Sequence, residues 1–391
     1  MARKKTAAKT VAEAGLLPVP EPIWTHHAEI IEPLMKQWQT QKRAAPVILL
    51  TGPRGIGKRQ IVHGLAQWLL CDRAGFLNAG ESANGEEGPG LFGDALFAPP
   101  PSATSSEPSL KACGECANCK RALDGQWLDF TEIGPEATTE GAAGSIKLDQ
   151  FDDLKRSQGF GASRGAFKIT FIRDAEAMTA SAANSLLKLL EEPPPGWIFF
   201  LTANDAQLLL PTLVSRCQRV RLTPLPKFAL TQLLQTQGVD ASRVPICANL
   251  AHGSLSKALA LAEDTVWEKR TTLFRFLDDP GSQTAELVDW GAESAANLAL
   301  LLDQWEGVVN DLVQWSVHTQ AGQPYAWINV DGQRSLTQCV TRTGATNPAA
   351  FRDFWLARAR AVAQTRMKMH APLNRKILVQ DLLLPHLGPR G

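Results

Sequence analysis

The sequence has no uninterrupted apolar run approaching the 18 or so residues that a membrane-spanning helix needs, so no membrane span is expected in its 391 residues. It also lacks an excess of charge of either sign. Forty Lys and Arg stand against 39 Asp and Glu, a formal net charge of +1. That balance excludes a global attraction to nucleic acid or to a membrane surface, so any basic patch must be local. No apolar signal-peptide core follows the N-terminal residues, where Arg3, Lys4, Lys5 and Lys9 lie among Ala and Thr. Residues 1–20 read as a disordered basic tail, with a weak electrostatic arm for DNA as the other reading. Seven cysteines, an odd number with three crowded into Cys113–Cys119, argue against a disulfide framework and fit a reducing, cytoplasmic setting. What remains, 44% hydrophobic and 20% charged, describes a globular chain long enough for two or three domains.

A further absence lies inside the strongest motif. Gly52-Pro53-Arg54-Gly55-Ile56-Gly57-Lys58 follows the apolar run Val47–Leu50 and precedes a helical pattern from Gln60 to Leu70. Strand, glycine-rich turn, lysine and helix form a phosphate-binding P-loop: glycines let the backbone wrap an anion, and the lysine adds a point charge. The position after the lysine should hold Ser or Thr, whose hydroxyl ligates Mg²⁺. It holds Arg59. A guanidinium has donors, no acceptor and a permanent positive charge, so the metal site is broken while Gly52, Gly55, Gly57 and Lys58 still suit a phosphate. ATP or ADP binding is therefore open.

Cysteine is concentrated in Cys113-x-x-Cys116-x-x-Cys119. Tetrahedral Zn²⁺ needs a fourth thiolate, and Cys71, at the end of the P-loop helix, is the natural candidate. The expected module spans 71–119. Residues 72–112, rich in Gly, Pro, Ser and Ala, form a disordered insertion, with Leu91–Phe97 as a short docking piece. No ligand position is left open, so the metal is structural. Lys111, Lys120 and Arg121 are set against Glu115, Asp124 and Asp129, too balanced for a nucleic-acid surface.

Glu21–Gln41 has helical spacing and contains His26 and His27, expected to pack on the surface or beside the nucleotide pocket. Further strands are expected at 127–133, 167–172, 197–201 and 220–222, and helices at 146–156 and 179–192. The strand at 167–172 leads to Asp174, the arrangement that binds Mg²⁺ through water; the catalytic glutamate that should follow is replaced by Ala175. Glu176, one step further, is expected to point elsewhere. Strands alternating with helices behind a P-loop give a parallel α/β sheet. After residue 225 the pattern is helical. A three-helix unit covers 227–237, 243–252 and 256–263, and helices run from 265 onward with breaks at 279–281 and 322–348.

Ala183-Asn184-Ser185-Leu186-Leu187-Lys188-Leu189-Leu190-Glu191-Glu192-Pro193-Pro194, Ser215-Arg216-Cys217 and the inserted cysteines together resemble the AAA+ clamp-loader subunits of bacterial DNA polymerase III, delta-prime more than gamma/tau. The likeness is strong over 45–225, moderate to about 263 and weak beyond, except at Leu373–Leu384. It implies an AAA+ core at 21–225, a helical lid at 226–263 and an all-α collar at 264–391. Asp174 and Asn204 would join the P-loop residues in the nucleotide site, and Ser256 stands where active subunits carry an arginine. Arg216 would project into a neighbouring subunit's nucleotide site. The implied partners are gamma/tau and delta subunits, with the sliding clamp and primer-template DNA reached through the complex. Two competing readings are an autonomous P-loop ATPase and a zinc-dependent nucleic-acid-binding protein with a vestigial core.

Overall fold

A computed structural model of the chain describes residues 16, 18–41, 44–72, 110–125, 129–136, 144–151, 154, 167–344, 347–369 and 373–383. Most of the basic tail, the Leu91–Phe97 piece with most of the insertion, the start of the strand at 127, the end of the helix expected up to Arg156 and the last residue of the 373–384 segment lie outside the described residues. The expectation of a disordered tail through residue 20 is corrected at its end, where Leu16 is buried and its amide donates to Ala122 O at 2.7 Å, and the start of the 146–156 helix is a 3₁₀ turn, Leu148–Phe151. The chain divides into two compact units, Met1–Thr223 and Pro224–Gly391.

The first unit is built on a five-stranded parallel sheet of β1 (Val47–Thr51), β2 (Phe130–Ile133), β3 (Lys168–Ile172), β4 (Trp197–Ala203) and β5 (Gln218–Arg221) in the order β2-β3-β4-β1-β5. β1, β3 and β4 are buried along their whole length; β1 and β4 accordingly read as near-continuous apolar runs, while β3 also buries Lys168 and Thr170. α1 (Glu21–Gln41), α2 (Lys58–Leu69) and a short α3 (Ala117–Leu123) precede β2. α4 (Ala180–Glu191) is opened by the Thr179 hydroxyl, which accepts from the Ala182 amide at 3.3 Å, and stops before three consecutive prolines. Its Ala182, Leu186, Leu189 and Leu190 pack into the core with Val47, Leu49, Phe199 and Leu201. In a parallel sheet the strands' carboxyl ends share one edge. Here that edge gathers Gly52 after β1, Asp174 after β3 and Asn204 after β4.

The second unit is all helical: α5 (Lys227–Thr236), α6 (Val244–Leu250), α7 (Leu255–Ala262), α8 (Asp264–Asp278), α9 (Pro280–Glu293), α10 (Ala295–Gln320), α11 (Gln333–Cys339), α12 (Pro348–Lys368) and α13 (Arg375–Leu383). Trp305 on α10 lies at the centre of its core, with ring centroids 5.9 Å from Phe276 and 6.0 Å from Trp355. The expected break at 279–281 is one residue, Asp279, because Pro280 starts the next helix. A further break falls at Ser294, whose hydroxyl caps α10 by accepting from Asn297 N at 3.0 Å.

The stretch 322–348 is not simply a break, since it contains α11. A long-range polar network holds it there. The fully buried Asp311 carboxylate accepts from Tyr325 Oη (2.6 Å), the Ile328 and Asn329 amides (3.0 and 2.9 Å) and Asn329 Nδ2 (2.6 Å). Arg270 in turn donates to Asn329 and makes a two-pronged contact with Asp331. Burial, then the Asp311 contact, pushes the Tyr325 hydroxyl pKa up, so it stays a donor at neutral pH. Asp311→Ala is expected to lower stability by about 3–5 kcal/mol, because four donors lose their buried acceptor together. Tyr325→Phe is expected to cost only about 1 kcal/mol. Urea midpoints of the two variants check the ratio.

Candidate functional site

The P-loop is a tight, glycine-dependent turn. Gly57 has φ +95°, and a Cβ there would meet Ile23 Cγ2 at 2.6 Å; one at Gly52 (φ +150°) would meet the Leu222 carbonyl oxygen at 2.5 Å. Both positions therefore require glycine. Lys58 is buried and turned back into the loop, donating to Gly52 O, Pro53 O (2.9 Å) and Asn204 Oδ1 (3.2 Å). Burial pulls its pKa down, with the Glu176 and Asp174 carboxylates acting in the opposite sense. His27, buried on α1, lies with Nε2 3.3 Å from Ile56 O, and burial pushes its pKa down to about 4. It is a neutral packing group behind the loop, in keeping with the expectation for it.

Arg59, where the motif needs a hydroxyl, is tied to Glu132 on β2 by Nε (3.2 Å) and Nη2 (2.9 Å). The same carboxylate meets His63 Nε2 at 3.2 Å and Arg173 Nε at 3.3 Å, and Arg173 also pairs with Asp174 at 3.2 Å. A mixed cluster of guanidinium and carboxylate groups thus lies between the P-loop helix and Asp174, where a metal-dependent enzyme keeps a neutral oxygen and a free acid. Burial would raise the Glu132 pKa, but hydrogen bonds from His63 and Arg59 more than offset it and hold it below its ordinary value. A depressed carboxyl pKa contributes stability that is present above its unfolded value and lost as pH falls through the folded one. Glu132→Gln is expected to cost about 2 kcal/mol at pH 7, discounted because both arginines are partly exposed. The gap from the parent should close below about pH 4. Thermal melts of both proteins between pH 3 and 7 check it.

One expectation is corrected. Glu176 does not point elsewhere. Asp174 adopts a left-handed backbone (φ 53°, ψ 56°), its amide donating to Thr202 Oγ1 at 3.1 Å, and Ala175–Ala177 form a 3₁₀ turn. The turn swings the Glu176 carboxylate across to β4, where it accepts from the Asn204 amide at 3.1 Å. Its second oxygen is buried with no hydrogen-bond partner among the described residues. Glu176 therefore stands beside Asn204 and Lys58. Sequence spacing could not reveal this, because it depends on one residue's backbone conformation.

The cysteine sulfurs of Cys71, Cys113, Cys116 and Cys119 all lie within 4.8 Å of one another, three of the residues buried and one half-buried. Cys113 and Cys119 Sγ are 3.9 Å apart. A tetrahedron with Zn–S bonds of about 2.3 Å has edges of about 3.8 Å, so the donor set fits. Amides also converge on the sulfurs: Cys113 N on Cys71 (3.4 Å), Cys116 N on Cys113 (3.3 Å) and Cys119 N on Cys116 (3.3 Å). Against the raising effect of burial, hydrogen bonds from the Cys116 and Glu115 amides pull the Cys113 pKa down to about 7. The cluster could hold a metal ion and is compatible with structural zinc.

Arg216 follows the helical turn Pro211–Val214. Its Nη1 donates to Thr212 O and its Nη2 to Glu191 Oε1, both at 2.7 Å, while the side chain stays about a third exposed. It is an exposed guanidinium fixed at two points. Leu208 and Leu210, 60% and 41% exposed, lie just before it in the chain. In the second unit, Ser256 sits on the first turn of α7, which is capped by Ser254, so that position carries a hydroxyl rather than a guanidinium.

Comparison with known proteins agrees with this layout. Residues 95–226 match the family described as DNA polymerase III, delta subunit. DNA polymerase III subunit delta′ of Escherichia coli (strain K12) is 33% identical over 168 residues, covering 43% of this chain and 49% of the relative, so the match spans about half of that relative's length. The delta′ subunit of Pseudomonas aeruginosa is 27% identical over 361 residues, 90% of this chain and 94% of the relative. The family model and these relatives support a delta-prime clamp-loader subunit. The tau subunit of E. coli is also similar, 28% identical over 224 residues, covering 56% of this chain and 29% of the relative. The chain combines a P-loop with Arg59 locked on Glu132, a cysteine cluster and an exposed arginine. Sequence reasoning had singled out Arg59, Lys58, the cysteines and Arg216. It missed Glu132, His63, Arg173 and the position of Glu176. A carboxylate inside the strand-like segment Phe130–Ile133 was the available signal for the first.

Proposed function

We propose that this chain is a non-hydrolysing scaffold subunit of the clamp loader. It would join gamma/tau and delta subunits in the pentamer that places a sliding clamp on primer-template DNA, and donate Arg216 in trans to a neighbour's ATP site. The observation that carries the reading is Arg59: it takes the sequence position of the Mg²⁺ ligand, and its guanidinium is held by the buried Glu132 carboxylate. A positive charge fixed in that place opposes metal binding by simple electrostatics. In this reading residues 21–225 are an AAA+ core, 226–263 a lid and 264–391 a collar that holds the subunits together. Zn²⁺ on Cys71, Cys113, Cys116 and Cys119 ties down the ends of the insertion in a cytoplasmic protein. Gly52, Gly55, Gly57, Lys58, Asp174 and Asn204 form a degenerate pocket that binds ATP or ADP weakly or not at all. Exposed Leu208 and Leu210 near Arg216 support a protein contact there.

The position of Glu176 favours a second reading, a residual P-loop ATPase, because an acid beside Asn204 and Lys58 is suited to polarise water. The isolated chain incubated with Mg·ATP discriminates between them. The scaffold reading expects no turnover above background, together with co-elution with gamma/tau and delta on gel filtration. Mg-dependent turnover that is lost on Glu176→Gln would support the ATPase instead.

A further inference from the structure

We propose that Glu191 is the positioning residue for Arg216, fixing the plane in which the guanidinium is presented to a phosphate on a neighbouring subunit. The inference rests on reading Arg216 as a residue that acts in trans. An arginine has five N–H donors in a rigid fork. Two of them are engaged within this unit, one on the Thr212 carbonyl and one on Glu191, which leaves three for an anionic ligand. The two anchors come from different elements, the turn Pro211–Val214 and the end of α4, so together they set direction as well as place. Arginine carries about 2 kcal/mol of rotamer entropy, and a fork ordered before the ligand arrives has less to lose on contact.

Glu191 has little reason of its own to be where it is. It is the last residue of α4 and is followed by Glu192, so two carboxylates face the negative end of a helix dipole, an arrangement that costs about 0.3–1 kcal/mol. Its side chain is half exposed and needs no partner to compensate burial. Exposed ion pairs contribute only about 0–1 kcal/mol, so stability gives the pair little purpose. Orientation of the fork accounts for both residues.

The test uses the whole loader, reconstituted with gamma/tau and delta subunits, with assembly checked by gel filtration. Single-turnover ATP hydrolysis is followed for the parent, Arg216→Ala, Glu191→Ala, Glu191→Asp and the double variant Glu191→Ala/Arg216→Ala. Glu191→Ala is expected to slow the saturating rate of the Arg216-dependent phase about tenfold with its half-saturating ATP concentration unchanged, the effect of a misplaced catalytic group. Glu191→Asp should recover part of the rate, and the double variant should be no slower than Arg216→Ala alone. A Glu191→Ala rate equal to the parent's, or faster because Glu191 merely competes with phosphate, overturns the proposal. So does strict additivity in the double variant. If Arg216→Ala itself has no effect, the underlying reading of Arg216 fails instead, which keeps the two failures apart.

Discussion

Replacing Cys119 with serine is expected to strip bound zinc from the purified chain, from close to one ion per molecule to nearly none. The geometry makes the effect large. Four sulfurs converge within 4.8 Å, and Cys71 and Cys113 lie 42 residues apart in the chain, so a metal held there would close a long loop. A structural zinc site contributes on the order of 10 kcal/mol to a small module, more than the local packing of a seven-residue α3 can replace. Three thiolates and a serine hydroxyl no longer make a closed tetrahedral set. Rapid proteolysis between the P-loop helix and β2 should follow, in the variant and in chelator-treated parent alike. Cys247 and Cys339, buried in the helical unit, serve as controls: serine there should leave the metal content unchanged. Metal content near zero in the parent, with the same protease pattern as the variant, would count against the zinc assignment.

What could be read from the sequence depended on whether the cause was local. The P-loop was legible because its glycines answer to backbone conformations within eight residues, and the helices α1 and α4 because their apolar spacing and caps are local. The sheet followed from strand-like runs alternating with helices. Other features depend on contacts across the chain. Arg59 was visibly wrong for a metal site, but what holds it became visible only when β2 was placed beside β3 and brought Glu132 to it. Glu176 was misjudged because Asp174 turns left-handed. Helix α11 was missed because only a network centred on Asp311, some 20 residues upstream, makes the 322–348 segment fold back.

Arg216→Ala is the second large expected effect. A guanidinium brought to a γ-phosphate meets charge that builds up in the transition state, and such contacts are worth about 10³–10⁵ in rate. The structure leaves Arg216 partly exposed, braced by Glu191 and Thr212. Lysine should restore little, because an ammonium lacks the planar fork. Truncation should leave this chain's own fold intact, since the exposed pair it breaks contributes at most about 1 kcal/mol. The most direct test is therefore single-turnover ATP hydrolysis by a reconstituted loader carrying either the parent chain or Arg216→Ala, with assembly confirmed by gel filtration. If this chain acts in trans, one kinetic phase, from the adjoining gamma/tau site, slows by about a thousandfold while the complex stays whole. Identical kinetics from the two intact complexes would contradict it and leave the chain a scaffold without a catalytic part.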